Sequence, residues 1–215
     1  RLSEGLSDTG ERLSAADGER IVRLVAHHVG AEVHPGAPRV SAELPETGER
    51  FEGLLPPVVT APVFAIRKPA VAVFTLDDYV AAGIMTADQA VILRQAIAAR
   101  ANILVAGGTS TGKTTLTNAL LAEVAKTTDR VVIIEDTREL VLPQRNVVHL
   151  LYSKDGQGLA KVGPKALLES ALRMRPDRIL LQELRDGTAF FFLRNVNSGH
   201  PGSITPVHAD SASLA

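Results

Sequence analysis

One short segment constrains the fold of this chain more than any other, the glycine-rich run GGTSTGKTT at residues 107–115. It directly follows an apolar run, residues 103–106, and precedes a segment compatible with a helix, TTLTNALLAEVAK. Four of its residues have the spacing of a phosphate-binding loop (P-loop): Gly107, Gly112, Lys113 and Thr114. In such a loop, glycines allow successive backbone N–H groups to surround a polyphosphate. A glycine-rich turn with a chance Gly-Lys-Thr would not require a strand before it and a helix after it, so the context predicts a site for a nucleoside triphosphate.

Each part of this segment has an expected role in binding phosphate. The helix after the loop presents the positive end of its dipole to an anion. Lys113 can reach the β- and γ-phosphates, and the hydroxyl of Thr114 can ligate Mg²⁺. We therefore expect the nucleotide to contact the whole segment: Gly107, Gly108, Thr109, Ser110, Thr111, Gly112, Lys113, Thr114 and Thr115.

The charge balance argues against nucleic acid as a direct partner. The 215 residues include 23 Lys and Arg against 24 Asp and Glu, a formal net charge of -1, which is not the basic footprint that binds a phosphate backbone. The absence of cysteine excludes disulfides and thiolate metal sites. No apolar run approaches the roughly 18 residues of a membrane span, so we expect no transmembrane segment and a cytoplasmic location. Because the chain begins at Arg1 and ends soon after a strand-like run, we also expect it to be a fragment of a longer protein.

Residues 1–69 predict a small N-terminal α+β domain. A capping-box pattern at Ser14 precedes an apolar stripe of helical spacing that ends at Gly30. Extended runs punctuated by prolines follow, at residues 39–44, 49–55 and 58–67. Residues 70–83 have the character of a linker.

Residues 84–215 predict an α/β domain. After a helix near residues 86–100, strands alternate with helices: the strands are expected at 102–106, 130–135, 178–183 and 202–208, and the later helices at 164–173 and 187–196. A polar loop is expected at 153–163. Alternating units of this kind indicate a parallel sheet covered by helices.

Acidic residues follow two of the predicted strands. Glu183 ends the apolar run RILLQE, which has the form of a Walker B strand, and is a candidate to organise Mg²⁺ or to polarise a water molecule. Glu139 and Asp136 follow the strand at 130–135 and could accept a proton from that water. For each of these three acids the alternative is a structural role, either as a solvated residue at a strand end or as the acidic cap of a loop.

Histidines and arginines form a second set of candidates. His200 and His208 bracket a short strand and lack the spacing of zinc ligands, which leaves neutral hydrogen bonding near a γ-phosphate or simple packing as the alternatives. Several basic residues are candidates for phosphate or intersubunit contacts, or for ordinary surface ion pairs: Arg67, Lys68, Arg173, Arg175 and Arg185.

Taken together, these segments resemble the type II/IV secretion ATPases. GGTSTGKTT resembles the Walker A box, IIEDTREL the aspartate box, ALRMRPDRILLQELRD the Walker B box and GHPGSITPVHA the histidine box, in that order. The stretch from Val40 to Thr86 is similar to the N-terminal domain and linker of the TrbB-type conjugative-transfer ATPases of type IV secretion.

The resemblance implies a hexameric ring in which an N-terminal domain is joined by a linker to a RecA-like P-loop domain, here truncated at its C-terminal end. It implies an ATPase motor that uses ATP and Mg²⁺ to power pilus biogenesis or substrate transfer in a conjugative type IV secretion system. Its partners would be other secretion-system proteins, and it would lie peripherally at the inner membrane. The alternative is a nucleotide-binding scaffold with little hydrolysis. A small-molecule kinase would need an acceptor pocket and a lid, and a DNA motor is disfavoured by the charge balance.

The resemblance also assigns roles to individual residues. Glu139 becomes the catalytic glutamate and Glu183 the Walker B acid that holds Mg²⁺ through water, while the histidine-box pair are His200 and His208. Arg67, in FAIRKP, resembles the N-terminal arginine that approaches the nucleotide phosphates. One departure lies next to the site, because Gln182 stands where the family usually has glycine.

Overall fold

The computed structural model describes residues 7–68, 73–152, 161–184, 187–197 and 199–215. Arg185, most of the predicted loop 153–163 and the start of the predicted linker 70–83 lie outside these residues. The chain divides into two compact units, one ending at Lys68 and the other containing the described residues from 73 onward.

The first unit is a helix with a three-stranded antiparallel sheet. Its elements are α1 (Ala15–His28), β1 (Arg39–Glu43), β2 (Arg50–Leu54) and β3 (Val63–Arg67), with the strands in the order β1-β2-β3. Ser14 caps the helix by accepting a hydrogen bond from the backbone N–H of Asp17 at 3.1 Å. Val22 and Ala26 of α1 pack against Val40 and Phe51 of the sheet. The third strand begins at Val63, later than predicted, because the proline-rich segment before it forms turns.

The second unit alternates helices and strands, as the sequence predicts. Its elements are α2 (Leu76–Ala81), α3 (Ala87–Ala98), β4 (Ile103–Gly107), α4 (Lys113–Val124), β5 (Val131–Glu135), β6 (Val147–Leu151), α5 (Pro164–Ala171), β7 (Arg178–Leu181), α6 (Thr188–Asn197) and β8 (Ile204–His208). Sequence analysis missed α2, which begins at a capping box between Thr75 and Asp78, and β6, a half-buried strand.

The five strands that the structure describes in the second unit run parallel. β5 lies between β6 and β7, and β8 pairs with β4. Leu184, just after β7, bridges to Val207 of β8 and donates its N–H to the carbonyl of Pro206 at 3.0 Å. The strand order is therefore β6-β5-β7-β8-β4, and the carboxyl ends of the strands meet at one edge. The predicted α/β class is confirmed.

Helices cover both faces of this sheet. Val131 and Ile133 of β5 face a core formed with α3 and α4, whereas Val132 and Ile134 face a second core formed with α5 and α6. This alternation follows from the two-residue period of a strand. Burial on both sides explains why β5 and β7 are continuous apolar runs.

Within the described part of the chain, none of the helices combines the length and the apolar character that crossing a membrane requires.

Candidate nucleotide-binding site

The glycine-rich segment forms a tight loop between β4 and α4. Gly112, at the N-cap of α4, has φ +89°, a left-handed conformation that glycine adopts without steric cost. Gly107 ends β4, and a Cβ added there would lie 2.5 Å from Oγ1 of Thr111. A side chain at position 107 would therefore collide with the loop, which explains two glycines of the motif.

Lys113 begins α4 and turns back over the loop. Its Nζ donates to the carbonyl oxygen of Gly108 at 2.6 Å, and Thr111 Oγ1 donates to the same oxygen at 2.9 Å. Thr109 and Ser110 are exposed, and Thr114 and Thr115 are half-buried in the first turn of α4. The predicted segment thus runs from the end of β4 into the first turn of α4, where backbone N–H groups have no helical acceptor.

His208 connects Lys113 to Glu183. Its Nε2 lies 2.7 Å from Oε1 of Glu183, and its Nδ1 lies 3.4 Å from Nζ of Lys113. The order of the strands explains this contact, because β8 lies between β7, which precedes Glu183, and β4, which leads into the P-loop. An ammonium group can only donate, so Nδ1 accepts from Lys113, while the Nε2 side of the ring lies against the Glu183 carboxylate.

Glu135 stabilises the loop that carries Glu139. It ends β5 with a fully buried side chain, and its Oε1 accepts from the backbone N–H groups of Glu139 and Leu140, both at 2.8 Å. Its Oε2 accepts from Nδ1 of His149 at 3.1 Å. A buried carboxylate that accepts several hydrogen bonds holds the surrounding backbone firmly.

Asn118 ties the same loop to α4. Its Nδ2 donates to the carbonyl of Glu139 at 3.0 Å, and its Oδ1 accepts from the N–H of Val141 at 2.9 Å. Sequence analysis assigned no role to Asn118 or Glu135. Their positions, five residues after Lys113 and at the end of the apolar run of β5, were the available signals.

Gln182 holds the loop that carries Asp136 and Glu139 against the end of β7. Its Oε1 accepts from the N–H of Asp136 at 2.8 Å, and its Nε2 donates to Oε2 of Glu139 at 3.2 Å. Glu139 therefore lies at the same edge of the sheet as Glu183, the residue that follows Gln182.

Other predicted residues lie elsewhere. His200 precedes β8, and its Nδ1 donates to the carbonyl of Pro176, which precedes β7, at 3.1 Å. His200 is thus at the amino edge of the sheet, and the structure does not bring it to Lys113. Arg173 and Arg175 also precede β7 and are exposed. Arg67 ends β3 in the first unit, with an exposed side chain.

A buried ion pair joins the elements at the amino edge. Arg178, at the start of β7, donates to Asp129 Oδ2 at 2.6 Å, to the carbonyl of Ile97 at 2.8 Å and to that of Gly202 at 3.1 Å. Burial of Asp129 opposes its ionisation, but hydrogen bonds and charge from Arg178 and Arg100 outweigh that effect and lower the pKa of Asp129. This pair connects α3, β7 and the entry to β8, whose other end carries His208.

The residues at the carboxyl edge fit Mg²⁺ in their chemistry. Thr114 offers a hydroxyl at the start of α4, and Glu183 offers a carboxylate at the end of β7. Mg²⁺ prefers oxygen ligands and commonly binds one or two protein groups together with substrate phosphates.

Comparison with known proteins points to one family. Residues 23–215 match the sequence model of a family described as type II/IV secretion system protein. The chain is 46% identical over 217 residues to the probable conjugal transfer protein TrbB of Sinorhizobium fredii, with 100% of this chain and 65% of the relative covered. It is 46% identical over 230 residues to the type IV secretion system protein VirB11 of Bartonella henselae, with 91% of this chain and 64% of the relative covered.

A solved structure gives the same result. The crystal structure of the VirB11 ATPase from the Brucella suis type IV secretion system, in complex with sulphate, matches with a TM-score of 0.54 and 37% identity, covering 91% of this chain and 64% of that chain. The present chain therefore spans less than two thirds of the length of these relatives.

Proposed function

Because the chain belongs to the type II/IV secretion system protein family, we propose that the full-length protein is an ATPase motor. It hydrolyses ATP to power pilus biogenesis or substrate transfer in a conjugative type IV secretion system. The observation that carries this proposal is the connection of the P-loop residue Lys113 through His208 to Glu183. The names of the relatives, a conjugal transfer protein and a type IV secretion protein, supply the process.

ATP binds at the N-terminus of α4. The backbone N–H groups of the loop and the Lys113 ammonium contact the phosphates, which then replace the Gly108 carbonyl as the partner of Lys113. Thr114, and Glu183 through water, would hold Mg²⁺, which would supply charge neutralisation to the phosphates.

Hydrolysis requires an acceptor for a proton of the attacking water. Glu139 takes that proton as the water oxygen bonds to the γ-phosphorus and the bond to the β-phosphate oxygen breaks. Glu135 and Asn118 support this role because they hold the Glu139 backbone on both sides. His208 supports the position of Glu183 because its Nε2 lies 2.7 Å from Oε1 of that carboxylate.

A ring of subunits completes the site. The P-loop segment carries a single cation, Lys113, and phosphoryl transfer is accelerated by further positive groups that neutralise the developing charge. Arg67 of the N-terminal domain is the first candidate for this role. We propose a hexamer, cytoplasmic and peripheral at the inner membrane, that works with other proteins of the secretion system.

The test is phosphate release from Mg·ATP by the full-length protein at a series of protein concentrations. Turnover per subunit should rise as rings form, and Lys113→Ala should abolish it. Lys126→Ala is the matched control, because Lys126 follows the other end of α4 and its side chain is exposed, although its partner Glu123 is buried. Assembled rings without turnover would contradict the proposal and favour the nucleotide-binding scaffold.

A further inference from the structure

We propose that Gln182 is a positioning residue for the Glu139 carboxylate. This inference rests on the proposed function, in which Glu139 accepts the proton of the attacking water. Gln182 follows the last residue of β7, Leu181, and directly precedes Glu183. Its side chain therefore adds an amide next to the Walker B glutamate, Glu183.

Both ends of the Gln182 amide are engaged. Oε1 accepts from the N–H of Asp136 at 2.8 Å and Nε2 donates to Oε2 of Glu139 at 3.2 Å. The first contact fixes the orientation of the amide, because an N–H cannot donate to an NH₂ group in place of its oxygen. The NH₂ group then necessarily lies on the side of Glu139. The side chain is only 9% exposed, so little water competes for these bonds.

The backbone of Gln182 is fixed as well. Its N–H donates to the carbonyl of Ile134 at 2.9 Å, which continues the pairing of β7 with β5 beyond Leu181. The amide therefore projects from a rigid strand end onto an irregular loop. A site held by strands is more precise than one held by loops alone.

The hydrogen bond from Gln182 reaches the side chain of Glu139, whereas those formed by Glu135 and Asn118 reach its backbone. Glu135 and Asn118 bind the backbone N–H and carbonyl of Glu139, so these two bonds position the loop backbone. Gln182 contacts the carboxylate itself. Removing its amide should therefore leave the loop folded and change the position of the reacting group.

A misplaced general base slows chemistry without weakening the binding of substrate. A displacement of 1 Å can cost about 10²-fold in rate, and loss of a single contact from a loop that stays folded should cost less. We expect kcat to fall about 10-fold in Gln182→Met, with KM and the affinity for a non-hydrolysable ATP analogue unchanged within about 2-fold.

Two substitutions separate the two contacts of the amide. Gln182→Met removes both, because the methionine side chain is similar in length and offers no strong donor or acceptor. Gln182→Glu keeps an acceptor for the Asp136 N–H and replaces the donor to Glu139 by a second carboxylate. Both variants should be slow, which assigns the effect to the Glu139 contact. Normal turnover of Gln182→Glu beside a slow Gln182→Met would instead assign it to the Asp136 contact and contradict the inference.

The matched control is Gln144→Met. Gln144 Nε2 likewise donates a hydrogen bond, to the backbone carbonyl of Asp129, but at the amino edge of the sheet. This variant loses the same kind of amide and should keep wild-type kcat.

The decisive experiment is a double-mutant cycle in the full-length ring. If Gln182 acts through Glu139, adding Gln182→Met to Glu139→Gln should slow hydrolysis no further. An equal loss in both backgrounds, or a Gln182→Met rate at or above the wild-type rate, would overturn the inference while leaving the proposed function intact. A wild-type ring without turnover, or Glu139→Gln with normal turnover, would overturn the proposed function and this inference together.

Discussion

Replacing Asp129 by Asn removes the counter-charge of a buried arginine. Arg178 is only 1% exposed, and its Nε lies 2.6 Å from Oδ2 of Asp129. Its other hydrogen-bond partners among the described residues, the carbonyls of Ile97 and Gly202, are neutral. Asp129→Asn therefore leaves a charged guanidinium in the core between α3, β7 and the entry to β8.

The structure sets the magnitude of this effect. Breaking a buried ion pair by removing one partner costs about 3–5 kcal/mol. The second partner of Asp129, Arg100, is 42% exposed, so its pairing adds only about 0–1 kcal/mol. Asn retains one acceptor oxygen for Arg178, which places the expected loss near the lower limit, about 3 kcal/mol. Domains have a total stability of roughly 5–15 kcal/mol, so this is a large fraction.

The assay is urea unfolding at pH 7, followed by circular dichroism, at one fixed protein concentration. Asp77→Asn is the matched control: Asp77 also pairs with an arginine, Arg94, at 2.8 Å, but its side chain is 76% exposed. That variant should lose less than about 1 kcal/mol. Equal losses in the two variants would refute the argument that burial makes the Arg178 pair costly to break.

The Arg178–Asp129 ion pair also predicts how the stability of the fold depends on pH. Despite the opposing effect of burial, the arginines lower the pKa of Asp129 below its ordinary value of 3.8. A carboxyl group with a lowered pKa in the folded state stabilises the fold above its ordinary pKa, and this contribution is lost as the pH falls through the lowered value. Between pH 7 and pH 3 the difference in stability between wild type and Asp129→Asn should therefore shrink only at the acid end.

The remaining predictions concern the site. Glu139→Gln and Glu183→Gln should each retain nucleotide binding but slow hydrolysis by about 10²- to 10⁴-fold, because the amide at position 139 cannot accept a proton and the amide at position 183 lacks the charge that holds Mg²⁺ through water. Single-turnover phosphate release measures this, and a variant with normal rates would show that its acid is structural. Thr114→Ala should remove the enhancement of nucleotide affinity by Mg²⁺, and an unchanged Mg²⁺ dependence in titrations would exclude the hydroxyl as a ligand. Arg67→Ala should lower turnover of the assembled ring by about 10³- to 10⁵-fold with an unchanged melting temperature; normal turnover would show that the site is complete without Arg67.

The sequence predicted the fold because its strongest signals are local. The P-loop has strand, glycine spacing and helix in one continuous segment, and the α/β class and the family that it indicated are confirmed. β6 was missed because it is a short, half-buried strand with His149 inside an otherwise apolar run. The helix α2 was missed although Thr75 and Asp78 have the spacing of a capping box.

Contacts across the sheet could not be predicted in this way. Gln182 and Glu139 are 43 residues apart, and their hydrogen bond exists only because β5 and β7 are neighbours. The placement of the two histidines, by contrast, follows from the sequence. The strand β8 follows His200 and ends at His208, and a strand rises about 3.3 Å per residue. Their spacing alone therefore places the two rings at opposite edges of the sheet.

The most direct test of nucleotide binding at this P-loop is calorimetric titration of a non-hydrolysable ATP analogue, with Mg²⁺, into the full-length protein and into Lys113→Ala. A hydrogen bond to a charged group contributes about 1.5–3 kcal/mol, so the variant should bind about 10- to 150-fold more weakly. Lys126→Ala should bind as the wild type does. Equal affinity of Lys113→Ala and wild type would contradict the assignment of the P-loop as the nucleotide site.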